Sequence, residues 1–98
     1  MMNYEEILMM MAIEPYTIMN ITPTFISIVG YNNSQTHVDM LTYDIEKWAK
    51  DNGIKVTITR NATPIDNTFY SDNDTSCDTI HLYNENGDVK VRIELFYH

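Results

Sequence analysis

Apolar positions recur along the chain with two different periods, and the switches between them mark out its elements. Tyr4, Ile7, Leu8 and Met11 fall on one side of a helix over residues 3–13. Asn3 serves as its cap, Glu5 and Glu6 suit its first turn, and Pro15 lies just past its end. Met9, Met10 and Ile13 lie off that side, so the segment is apolar nearly all round and faces either several core walls or a partner. A strand over residues 7–13 is the competing reading. Residues 16–23 read as irregular or extended, with Pro23 as a break. Thr24 to Tyr31 (TFISIVGY) is β-branched and aromatic, a strand, and Gly30 to Gln35 is turn chemistry.

The second helix carries the strongest pattern. Thr36 is its expected cap, with Asp39 three residues on as an acidic form of the capping box. Val38, Leu41, Ile45, Trp48 and Ala49 make one apolar stripe, Glu46 and Lys50 pair across one turn, and Asn52-Gly53 supplies the stop. Ile54 to Arg60 then alternates apolar and polar, the mark of a half-buried strand. Residues 61–76 form a long polar stretch with Ile65, Phe69 and Tyr70 embedded, a length that often serves function. Asn86-Gly87 predicts a two-residue hairpin of type I′. Folding about it sets Glu85 opposite Asp88, Tyr83 opposite Lys90, Leu82 opposite Val91, His81 opposite Arg92 and Ile80 opposite Ile93.

The order α-β-α-β-β-β predicts one α+β domain over residues 1–98, a two-layer sandwich with a mixed sheet of about four strands and a C-terminal β-hairpin. The second helix should cover one sheet face. The other should carry Lys55, Thr57, His81, Tyr83, Lys90 and Arg92.

Charge narrows the partners. Six basic residues against 14 acidic ones leave a net charge of −8. A field of that sign argues against direct binding of nucleic acid or an anionic membrane. Isoleucine, asparagine and tyrosine, all with AT-rich codons, are abundant, yet lysine, whose codons are equally AT-rich, is scarce; the acidity therefore reads as retained. The opening residues lack the basic stretch of a secretory leader, and the apolar run Ile7 to Ile13 is far shorter than the ~20 residues of a membrane span. A lone cysteine, Cys77, precludes an intramolecular disulfide and suits a reducing, cytoplasmic setting.

Little in the chain reads as catalytic. His37, His81 and His98 are scattered, so neither a metal nor another cofactor is expected. The run from Asp72 to Asp78 resembles the start of a calcium loop, but Cys77 stands where the turn glycine belongs and Tyr83 where the bidentate glutamate belongs. Acidic neighbours should raise the Cys77 pKa and blunt it as a nucleophile. Neither a nucleophile elbow nor a glycine-rich phosphate loop is present.

The outer face of helix two is the better candidate. Tyr43 sits at its centre with Met40 beside it, ringed by Asp39, Glu46, Lys47 and Lys50, a composition typical of interface anchors. With Asp72 and Asp74 of the long polar stretch, these residues predict a non-catalytic inhibitor that blocks a basic nucleic-acid-binding protein by charge mimicry and bulk. In composition the chain resembles the small acidic proteins that phages use against host defence, anti-CRISPR and restriction inhibitors among them. That resemblance implies a viral protein acting in the host cytoplasm. The alternative expectation is a structural or regulatory homodimer joined through Ile7, Met9, Met10 and Met11.

Overall fold

The computed structural model describes residues 4–63 and 75–97. Within these residues two helices lie on one face of a mixed five-stranded sheet. In chain order the elements are α1 (Glu5–Ala12), β1 (Thr17–Ile21), β2 (Ile26–Asn33), α2 (Gln35–Asp51), β3 (Val56–Thr59), β4 (Ser76–Tyr83) and β5 (Val89–Tyr97). The sheet order is β1-β2-β5-β4-β3, with β2 and β5 parallel and every other neighbour antiparallel. The architecture is the expected α+β sandwich with one strand more than the sequence pattern marked. The extra strand is β1, within the stretch read as irregular or extended. Its TIMNI run is short and lies between Pro15 and Pro23.

Alternation along the strands builds the core. Ile28, Ile93, Ile80 and Ile58 stand in register across four strands and face the helices. α2 packs on β3, β4 and β5, burying Val38, Leu41, Thr42, Ile45 and Ala49, while Trp48 leans in from the side. α1 adds Tyr4, Ile7 and Met11 to the same core. Burial of each such aliphatic side chain contributes roughly 1.5–3 kcal/mol. Gly30 leaves room for Leu95, its partner on β5, since a β-carbon there would sit 3.0 Å from Leu95 Cδ2.

Four local expectations change. Asn3 lies outside the described residues, and α1 starts after Tyr4, whose side chain makes no capping bond. It is anchored instead by the Tyr4 hydroxyl, which donates to the Tyr83 carbonyl at 2.9 Å. α2 is capped by Ser34 and not Thr36: Ser34 is extended, and its Oγ accepts the His37 N–H at 3.2 Å.

The hairpin turn is the third. A type I′ turn needs positive φ at both central residues, and only Gly87 has it. The Asn84 side chain captures the Asn86 and Asp88 N–H groups, at 2.9 and 3.0 Å, and the Gly87 N–H bonds the Asn84 carbonyl at 3.1 Å. The turn is thereby lengthened, and Tyr83 pairs with Val89 instead of Lys90, while Leu82–Val91, His81–Arg92 and Ile80–Ile93 pair as expected. The fourth is the outer sheet face. It carries Thr57, His81, Tyr83 and Arg92, but toward the far end of β5 it turns apolar, where Val29, Cys77 and Phe96 are buried together.

Because Asn84 organises two turn amides at once, Asn84→Ala should lower stability by about 1 kcal/mol, read as a lower urea midpoint at unchanged m-value.

Candidate functional site

α2 presents its outer face because its apolar stripe is consumed by the sheet. One turn of helix brings Met40 and Tyr43 side by side, and both stay exposed, at 58% and 65%. Asp39, Asp44, Glu46, Lys47 and Lys50 surround them. Tyr43, Glu46, Lys47, Lys50 and Asp51 line a shallow, open depression of about 300 Å³. The sequence-predicted Asp39, Met40, Tyr43 and Glu46 thus share one surface, whereas Asp72 and Asp74 lie outside the described residues.

The charges on this surface are largely paired within the chain. Lys47 Nζ lies 2.9 Å from Asp51 and Lys50 Nζ 3.6 Å from Glu46, both across one helical turn, and Arg60 contacts Asp39. The Asp51 carboxylate raises the Lys47 pKa through its hydrogen bond and charge. Asp44 has no ion pair among the described residues. Exposed pairs of this kind are worth ~0–1 kcal/mol, so they exchange partners readily.

One ion pair differs in kind. Asp78 is fully buried on the helix side of β4, where its parity with Ile80 and Leu82 places it. Its Oδ1 accepts the Tyr97 hydroxyl and the Asn61 N–H, each at 2.9 Å. Arg60 Nε lies 2.6 Å from Oδ2 as an ion pair, although its N–H direction misses hydrogen-bond alignment. Burial, then the bond to Asp78, pushes the Tyr97 pKa up. Arg60 therefore bridges a buried carboxylate of the sheet to an exposed one of α2, and so ties the helix to β4 and β5. Sequence reasoning missed this cluster, although the parity of Asp78 with Ile80 was the available signal.

The helices are joined to each other by polar contacts. Glu6 accepts Trp48 Nε1–H at 2.5 Å, and Glu14 meets His37 Nε2 at 2.7 Å. On the outer sheet face Lys55 stacks over the Tyr83 ring and Arg92 over Phe25. His81, expected as a surface strand residue, is half-buried; burial and then Arg92 lower its pKa. Cys77 is fully buried and its pKa is pushed up to about 11, by burial first and the Glu94 charge second. Sequence reading anticipated the direction from acidity alone; desolvation is the larger cause.

A larger depression, of about 660 Å³, opens at the hairpin end among Tyr4, Pro23, Thr24, Glu85 and Lys90. Its Lys90 ammonium already donates to the Pro23 carbonyl at 2.8 Å, and its Tyr4 hydroxyl to Tyr83. Among the described residues, no group of three or more His, Cys, Asp and Glu could hold a metal ion, and no helix is long and apolar enough to cross a membrane.

The expected dimer surface is divided by the fold. Ile7 and Met11 are fully buried in the chain's own core and Met10 packs against it, because the α1 side facing the sheet runs through 4, 7 and 11. Of the four, Met9 is exposed. Compared with protein-family models, curated proteins and solved structures, the chain matches none.

Removing the cation beside a buried carboxylate is costly. Arg60→Ala should destabilise the fold by about 2 kcal/mol, below the ~3–5 kcal/mol of pairs buried on both sides, because solvent screens the half-exposed guanidinium. A second outcome concerns pH. The folded Cys77 holds its proton up to about 11 while the unfolded thiol loses it near 9. The contribution of Cys77 is therefore complete below pH 9 and lost as pH rises from 9 to 11. Urea titrations across that range should show a fall of roughly 2 kcal/mol at most from this group, absent in Cys77→Ala.

Proposed function

We propose that this chain is a small non-catalytic binding protein that docks the outer face of α2 on a basic, nucleic-acid-handling protein and obstructs it. The observation that carries the reading is the exposed Met40–Tyr43 pair. A tyrosine and a methionine left in water beside each other gain most by entering a partner's pocket, and the charged ring around them excludes water from the contact. Net charge supplies the choice of partner. At −8 the chain is drawn to cationic surfaces over distances of about a Debye length, ~8 Å in physiological salt.

The ion pairs of α2 refine the mechanism. Glu46 and Asp51 do not stand bare as a row of phosphates would, since their own lysines hold them. They become available when a partner's arginines displace those lysines, an exchange that costs little at an exposed site. Attraction is thus long-range, from the net field, and adhesion is local, from Tyr43 and Met40. A compact body seated over a nucleic-acid groove then blocks it by bulk. The same division of labour would suit a viral inhibitor in a host cytoplasm.

The test is capture on immobilised protein, followed by displacement with duplex DNA. The expected retained species is a basic nucleic-acid-binding protein, released by DNA and by raised salt. Tyr43→Ala should weaken its binding about 30-fold, the ~2 kcal/mol typical of an anchor residue. Retention that ignores salt, DNA and Tyr43 alike overturns the reading.

A further inference from the structure

The sheet has two edges, and they are guarded unequally. β3 is only four residues long and is preceded by Lys55, a short strand and a charge that discourage another strand from adding. β1, at the other edge, contains neither a charge nor a proline.

The phase of its backbone follows from its two ends. The Tyr16 carbonyl accepts the Tyr31 N–H at 3.1 Å, and the Thr22 N–H donates to the Phe25 carbonyl at 2.9 Å. Between them Ile18 pairs with Val29 and Asn20 with Ser27. In an antiparallel ladder inward-bonding residues alternate with outward-facing ones. Residues 16, 18, 20 and 22 thus bond β2, while Thr17, Met19 and Ile21 aim their N–H and C=O groups away from the sheet. Two apolar side chains of the strand are exposed, Ile18 at 44% and Ile21 at 57%.

We propose that β1 pairs antiparallel with β1 of a second copy of this chain, about a twofold axis through Met19, so that two five-stranded sheets become one. Self-pairing on a twofold axis needs an outward-facing residue at the centre of the strand, and Met19 is that residue in Thr17–Ile21. Met19 then faces Met19 of the second copy, Thr17 faces Ile21, and Ile18 lies opposite Asn20. Every outward N–H and C=O of both strands is bonded, and no charge opposes another. That neutrality matters for two bodies that each carry −8, because like charges directly across a ladder repel. The guarded β3 edge closes the assembly at two copies. A five-residue ladder is a small contact, short of the ~800 Å² per partner of a standard interface, so the dimer is expected to be weak and concentration-dependent.

The surface does not involve α2, so this inference and the proposed function fail independently. Sedimentation velocity over about 1–500 µM should show a monomer–dimer equilibrium. Met19→Pro deletes an N–H that serves no bond among the described residues; it also removes a side chain packed against the core, so the fold should persist by far-UV circular dichroism at reduced stability while association weakens at least tenfold. Ile18→Lys should weaken association likewise, and Tyr43→Ala should leave it unchanged. Hydrogen exchange should protect the amides of Met19 and Ile21 only at high concentration, and those of Ile18 and Asn20 at every concentration. A monomer throughout the range overturns the proposal, as does a dimer indifferent to both β1 variants.

Discussion

The structure depends on the placement of β5. The last strand in sequence is the middle strand in space, parallel to β2 on one side and antiparallel to β4 on the other. From Val91 onward its residues are buried apart from the half-buried Arg92, so it reads as a strand enclosed on both faces. Among the described residues it is the one strand that pairs with both halves of the sheet. Without it, β1–β2 and β3–β4 are separate hairpin-like pairs, too small to be stable in water. α2 packs above β5, β4 and β3, and its stripe of Val38, Leu41, Ile45 and Ala49 can be buried only once β5 has supplied a floor.

The polar interior serves this placement. Asp78 on β4 is held by Tyr97 at the end of β5 and by Arg60 just after β3, and Arg60 reaches up to Asp39 on α2. A carboxylate there needs its partners at fixed positions, so it penalises any slip of β4 against β5. Alternation already specifies the register, and the buried charge sharpens it. The same Arg60 removes Asp39 from the pool of free surface acids, so stability and surface charge are coupled in one side chain.

Long periodic elements were legible in the sequence. The α2 stripe, the alternation of β3 and the three hairpin pairs from Leu82–Val91 to Ile80–Ile93 needed only side-chain parity. What failed to show was decided by single polar groups or by neighbours distant in sequence. Ser34 outcompeted Thr36 as a cap because of its backbone angle, and Asn84 redirected the turn through its side chain. β1 has too few residues to show a period, and becomes a strand because β2 offers it an edge. The Met40–Tyr43 surface was legible because it depends on helical spacing alone. The anchoring of its surrounding acids was hidden, since Arg60 lies 21 residues from Asp39.

Order of synthesis gives the central strand a further meaning. A ribosome delivers the four outer strands before the one that unites them, leaving flanks of β2 and β4 bare until residues 89–97 emerge. For that interval the nascent chain offers an empty slot with the shape and bonding of β5, open to any extended segment nearby. The slot closes only when those nine residues reach it, so the sheet is completed last by the strand it most depends on.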